Sequence, residues 1–140
     1  MVKKATTSVE INDLIASRWS PRSYDKNKFL TKEQITQLLE SARWSASSMN
    51  EQPWRFMVWN RNENPENFQK VFDCLSEGNQ KWCKNVNTFI LAAAHTKYSN
   101  GDINASAQFD TGLAVGNMLI QAVSMGLVTH PMGGYDKHRI

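Results

Sequence analysis

Three short stretches carry the residue types from which a binding site could be built. The first is Arg18-Trp19-Ser20-Pro21-Arg22, two guanidinium groups and a hydroxyl within five residues. Arginine forks onto phosphate or carboxylate oxygens and a hydroxyl adds a further donor. The group therefore suits an anion, although two arginines beside a proline are also ordinary surface charge. The second is Ser47-Ser48-Met49-Asn50-Glu51-Gln52-Pro53-Trp54. Its hydroxyls and amides could match the donor and acceptor edge of a heterocycle, or serve only the turn's own backbone. The third is His130-Pro131-Met132-Gly133-Gly134-Tyr135, where paired glycines permit close backbone approach to a flat ligand or simply a turn.

Nothing in the sequence supplies a reactive group of its own. His95, His130 and His138 stand outside any motif and read as structural or solvated, and Cys74 and Cys83 lack metal-ligand spacing. There is no Walker loop and no GxGxxG. Chemistry at these loops would have to come from a cofactor. The net charge of +3 comes from basic residues scattered from Lys3 to Arg139, which predicts a solvated surface and no nucleic-acid partner. The start, MVKKATTSVEIND, has no apolar core of a signal peptide, and the run Phe89–Ala94 is far short of a bilayer span. A reduced, cytoplasmic protein without a membrane partner is expected.

The 140 residues, 41% hydrophobic and 21% charged, suit one globular domain. Ser8 is placed to cap a first helix with Val9, Ile11, Leu14 and Ile15 on one face, ending near Arg18 before Ser20-Pro21. Thr31 and Gln34 have capping-box spacing ahead of Ile35, Leu38, Leu39 and Ala42. WRFMVW at 54–59 reads as a buried strand. Pro65 opens a third helix with Phe68, Val71, Phe72 and Leu75 inward, which Gly78 would close. TFILAAA has the length of a second buried strand, and LVTHP, after the last helix, that of a short third. Strands alternating with helices predict a sheet layered with helices, α+β or α/β.

The element that organises the rest runs from about Asn104 to Gly126. Leu113, Val115, Met118, Leu119, Ile120, Val123 and Met125 surround nearly its whole circumference, which predicts a buried helix. At ~35 Å it is long for so short a chain to cover, and Gly112 and Gly116 share a face that would admit another backbone. Part of it is expected to face a second subunit; an ordinary core helix within a monomer is the alternative.

RWSPRSY at 18–24, SARWSASSMNEQPWRF at 41–56, NQKWCKN at 79–85, DTGLAVGNMLIQAVSMGL at 110–127 and HPMGGYD at 130–136, taken in this order, resemble the nitroreductase family of flavin mononucleotide (FMN) enzymes. The resemblance implies an α+β, three-layer α/β/α fold with the long helix at the interface of a homodimer, and two flavin sites each built from both subunits. By motif position, Arg18 looks like a phosphate ligand, Ser20 a phosphate or ribityl ligand, and Arg22 a cation beside the flavin pyrimidine. Ala46, Ser47, Ser48 and Asn50 would reach the ribityl and ring from the partner subunit, and Asn79 would touch the ring edge. The backbone of Gly133 and Gly134 would lie against the N5 side, with Trp19, Pro131 and Met132 completing the cofactor contacts. NADH or NADPH would deliver a hydride to flavin N5, and a nitroaromatic, quinone or similar acceptor would take the electrons in a ping-pong cycle needing no catalytic side chain and no metal.

The sequence departs from the family pattern in three places. Ala46 replaces the more usual proline, Val86-Asn87 stands where Ala-Pro is common, and family members usually continue past the equivalent of Tyr135 through a further helix, a strand, a basic phosphate ligand and a tail over the partner. The expectation is one nitroreductase-like domain over 1–140 lacking that C-terminal part. Its alternative function is a non-catalytic flavin-binding or dimerisation module.

Overall fold

The structure, a computed structural model, describes residues 3–140. The elements in order are α1 (Asp13–Ser17), α2 (Lys32–Arg43), β1 (Trp54–Asn60), α3 (Pro65–Asp73), α4 (Glu77–Cys83), β2 (Thr88–Ala94) and α5 (Ala107–Ser124), with one 3-10 turn at Ser48–Asn50 between α2 and β1. The two strands pair antiparallel, with Trp54 opposite Ala94 and Asn60 opposite Thr88. Because side chains alternate across a strand, the pair presents two apolar faces. Trp54, Phe56 and Ile90 meet Leu38 and Ala42 of α2 and Ala114, Met118 and Ala122 of α5. On the other side Trp59 and Phe89 pack with Phe68, Val71, Leu75 and Cys83 of the α3–α4 layer. Helix, sheet and helix thus form three layers, the expected α+β class.

Local chemistry explains most of the boundaries. The Gln34 amide donates to Thr31 Oγ1 (3.2 Å) and the Thr31 amide to Gln34 Oε1 (3.0 Å), the capping box expected for α2, a device contributing ~1 kcal/mol. Pro65 sits in the first turn of α3, where Asn64 Oδ1 accepts from the Asn67 amide. Gly126, at φ +69°, ends α5 in the left-handed conformation that glycine adopts without strain.

Four expectations are corrected. The first helix starts at Asp13, not after Ser8, because Asn12 Oδ1 accepts the Leu14 amide; Val9 and Ile11 remain exposed outside it. Gly78 does not close α3, which already ends at Cys74, whose amide bonds Val71 and Phe72 carbonyls; Gly78 lies inside α4 instead. LVTHP forms no strand: the Leu127 amide is spent on Ala122 O at the end of α5, and His130 is held by its side chain rather than by a ladder. Finally, α5 is not buried all round within one chain. Ala107, Asp110, Thr111, Ala114, Met118 and Ala122 form a single inward stripe, whereas Phe109 is 69% and Leu113 39% exposed. Alanines fill most of the close side, and a Cβ at Gly112 or Gly116 would meet nothing within 4 Å.

Candidate functional site

The candidate residues fall into two groups. The first joins three sequence-distant stretches. Arg18 caps the C-terminus of α1, and its Nη1 donates to Ser20 Oγ (3.1 Å), so the proposed anion ligands are already side by side. Pro21, next in the chain, is buried, and its carbonyl accepts both the Tyr24 hydroxyl (2.9 Å) and His130 Nδ1 (2.9 Å). A carbonyl can only accept, so His130 carries its proton on Nδ1 here. The three rings stack in sequence, Tyr24 on Trp82 with centroids 6.2 Å apart and Trp82 on His130 at 4.2 Å. His130 is therefore structural, clamping the loop of Arg18 to α4 and to the segment after α5.

The same segment is fastened a second time. Gly134 O accepts from Asn79 Nδ2 (2.9 Å) and from the Ser76 amide (2.9 Å), and the Asp136 amide donates to Cys74 O (2.8 Å). A Cβ on Gly134 would lie 2.7 Å from Asn79 Nδ2 and 2.9 Å from Ser76 Oγ, so any larger residue would have to push one of these side chains aside. Gly133 beside it is open, with nothing within 4 Å of a Cβ. Asn79, expected at a ring edge, has one amide proton committed to the Gly134 carbonyl and keeps its oxygen. Burial raises the Tyr24 hydroxyl to about 12, with the neighbouring Cys83 adding to the shift, and burial alone raises the Cys83 thiol to about 11. Both are neutral at ordinary pH, and Cys83 is inert packing rather than a nucleophile.

The second group is the Ser47–Gln52 loop. Ser47 Oγ accepts the Gln52 amide (3.0 Å) and Asn50 Oδ1 accepts from Gln52 Nε2 (3.0 Å), so these side chains do shape the turn itself. Ala46, Ser48, Met49 and Asn50 are exposed. Met49, Asn50 and Gln52 have φ of 54°, 56° and 50°, left-handed values that side chains rarely adopt. The Ser48 amide donates to Asp110 Oδ2 (3.0 Å), in the first turn of α5. Sequence reading gave no role to Asp110 and did not foresee the Tyr24–Trp82–His130 stack; for Asp110, an acid within an apolar helix was the available signal.

No hydrogen bond, ion pair or ring contact among the described residues joins the two groups. Trp19 is half-buried and Pro131 exposed, and Met132 packs against the α3–α4 cluster. Two surface clefts, one lined by Glu10–Asp13 and one of ≈ 200 Å³ lined by Glu51, Pro53, Arg55, His95, Lys97 and Ser99, include none of the residues expected to hold the cofactor, although Glu51 and Pro53 belong to the 47–54 stretch. No cluster of metal-ligating side chains occurs among the described residues, and no described helix is long and apolar enough to cross a membrane.

The nitroreductase family model matches residues 15–81 and 62–140, between them nearly the whole chain. The chain belongs to the nitroreductase family. The major NAD(P)H-flavin oxidoreductase of Aliivibrio fischeri is 34% identical over 92 residues, which are 66% of this chain and 42% of that protein. The present chain therefore matches less than half the length of that relative. A Bacillus subtilis protein named for NAD(P)H nitroreductase activity is 29% identical over 164 aligned positions, covering 91% of this nitroreductase-family chain and 77% of its own length. That alignment exceeds the 140 residues of the chain, so the relative carries inserted residues inside the matched stretch. Among solved structures, an oxidoreductase containing FMN superposes with a TM-score of 0.89 at 32% identity, over 97% of this chain and 69% of that one. A protein of Exiguobacterium sibiricum, described as a nitroreductase in complex with FMN, gives 0.77 at 26% identity, over 97% and 80%.

Proposed function

We propose that this chain is an FMN-dependent oxidoreductase that takes reducing equivalents from NADH or NADPH. Family membership and the flavin-containing relatives support that general reading. The finer reading is a homodimer in which each site joins the Arg18–Gly134 group of one chain to the Ser47–Asn50 loop of the other. The observation that carries it is the division of the candidate residues into two groups that no hydrogen bond, ion pair or ring contact joins among the described residues, next to an α5 face left exposed at Phe109 and Leu113.

The residues fit the cofactor. Arg18 and Ser20, already bonded to each other, present a guanidinium and a hydroxyl to a phosphate. Arg22 is exposed and makes no ion pair among the described residues, so its charge is available to the pyrimidine edge of the ring, where electron density gathers. The open side of Gly133 allows a flat ring to approach the backbone, while Gly134 is tied down behind it. Ser48 and Asn50 offer exposed polar groups to the ribityl chain and ring of the partner's cofactor. FMN, when bound, supplies two-electron redox chemistry that no side chain of this protein can. The acceptor is a nitroaromatic, quinone or similar flat compound that takes the place of the nicotinamide, in a ping-pong cycle. The two cysteines are free, in keeping with a reducing, cytoplasmic setting.

The test is the visible spectrum of the purified 140-residue chain after loading with FMN and gel filtration. Absorbance retained near ~450 nm, bleached by reduced nicotinamide under nitrogen and restored by a quinone, is the expected result. Retained but unbleached flavin would indicate a binding module instead, and a folded chain that retains none would contradict the reading.

A further inference from the structure

The Ser47–Gln52 loop is bent by three left-handed residues, Met49, Asn50 and Gln52, none of them glycine. Such conformations cost ~1–3 kcal/mol each and persist only where the surroundings impose them. Within the loop the Asn50 amide donates to Ser47 O (3.1 Å), the Glu51 amide to Ser48 O (3.0 Å) and the Gln52 amide to Ser47 Oγ (3.0 Å). These local bonds fix the shape of the turn. They do not fix where it stands on the molecule.

Placement comes from Asp110. Among the described residues, the one hydrogen bond from Ser47–Gln52 to a sequence-distant element is the 3.0 Å bond from the Ser48 amide to Asp110 Oδ2. Asp110 is only 3% exposed and belongs to the inward stripe of α5, between Ala107 and Ala114. Its first-turn position suits a carboxylate, because the helix N-terminus carries partial positive charge. A buried acid on a core helix is thus the anchor of an exposed loop that holds three non-glycine residues at positive φ.

We propose that Asp110 is a positioning residue: by holding the Ser48 amide it sets the place of Ser47, Ser48 and Asn50, and with it the FMN affinity of the site this loop completes. The inference rests on the flavin reading of the site. It is distinct from a role of Asp110 in helix stability alone, which would depend on the negative charge and not on an oxygen that accepts from Ser48.

The experiment compares Asp110→Ala and Asp110→Asn with the unaltered chain for FMN affinity, by quenching of flavin fluorescence, and for the visible circular dichroism of the bound flavin. Asp110→Ala is expected to weaken FMN about tenfold or more, as loss of a bond to a charged acceptor does, and to change the dichroism. Asp110→Asn keeps an accepting oxygen and should stay within about threefold of the unaltered chain. Met49→Gly, which relieves one left-handed residue, should recover part of the loss in Asp110→Ala. A folded Asp110→Ala with unchanged affinity, or an Asp110→Asn as weak as it, overturns the proposal. Should Asp110→Ala fail to fold, hydrogen exchange in the unaltered chain decides: the Ser48 amide must exchange more slowly than the Met49 amide, and equal rates overturn the proposal. If the unaltered chain binds no FMN, the functional reading fails, and the exchange result still decides the anchoring.

Discussion

The Arg18–Gly134 group and the Ser47–Gln52 loop are held in place by opposite means. The first is packed: three stacked rings, a carbonyl that accepts twice at Pro21, and a glycine whose added Cβ would press on the Asn79 and Ser76 side chains. The second is exposed at Ala46, Ser48, Met49 and Asn50, bent into left-handed conformations, and hydrogen-bonded to a sequence-distant element through one carboxylate among the described residues. Packing spreads the energy of placement over many contacts, so single changes are partly absorbed. A strained loop on one anchor concentrates it, so one substitution should move several ligand contacts together.

Alkaline pH should separate the two most widely. Tyr24 and Cys83, both in the packed group, have ordinary values of 10.0 and 9.0 and are raised on folding to about 12 and about 11. The folded state then holds more protons than the unfolded state, so stability is full below pH about 9 and falls as the pH rises through 12. Denaturant titrations across that range should show the decline, and Cys83→Ala should delay its onset toward pH 10, the ordinary value of Tyr24. A flat profile would mean that the packed group is wetter than the stack implies.

Next in size is Trp82→Ala, which deletes the middle ring. A loss of about 2–3 kcal/mol in chemical denaturation is expected, with Trp82→Phe recovering most of it. Gly134→Ala should cost about 1–2 kcal/mol, because its Cβ, 2.7 Å from Asn79 Nδ2, displaces the amide that bonds the Gly134 carbonyl. FMN affinity should fall with it, whereas Gly133→Ala, which has open space, should leave stability nearly unchanged. The smallest effect is a gain: Met49→Gly, at φ 54°, should raise the stability of the loop group by up to about 1 kcal/mol.

The sequence revealed the elements whose signals are local. The capping box of Thr31 and Gln34, the proline that opens α3, the two apolar strands and the glycine at 126 all stand where spacing put them. It misled where a signal depended on a distant partner. Gly78 looked like a helix terminator but lies within α4, and Val9 and Ile11 looked like a helix face but precede the cap at Asn12. The long helix looked greasy on all sides because periodicity does not say which side a single chain covers. The roles of Asp110 and Trp82 were not legible because they come from Ser48 and His130, far away in the chain.

The central claim, that each flavin site needs both groups and takes them from two chains, is tested most directly by complementation. Arg18→Glu, which reverses the charge meant for the phosphate, and Asn50→Trp, which fills the space before the exposed loop, should each abolish FMN retention. Mixed, unfolded and refolded together, they should form mixed dimers with one intact site each, so that about a quarter of all sites bind FMN. No recovery, in a mixture shown by sedimentation to contain mixed dimers, would mean that both groups of a site belong to one chain and would contradict the account.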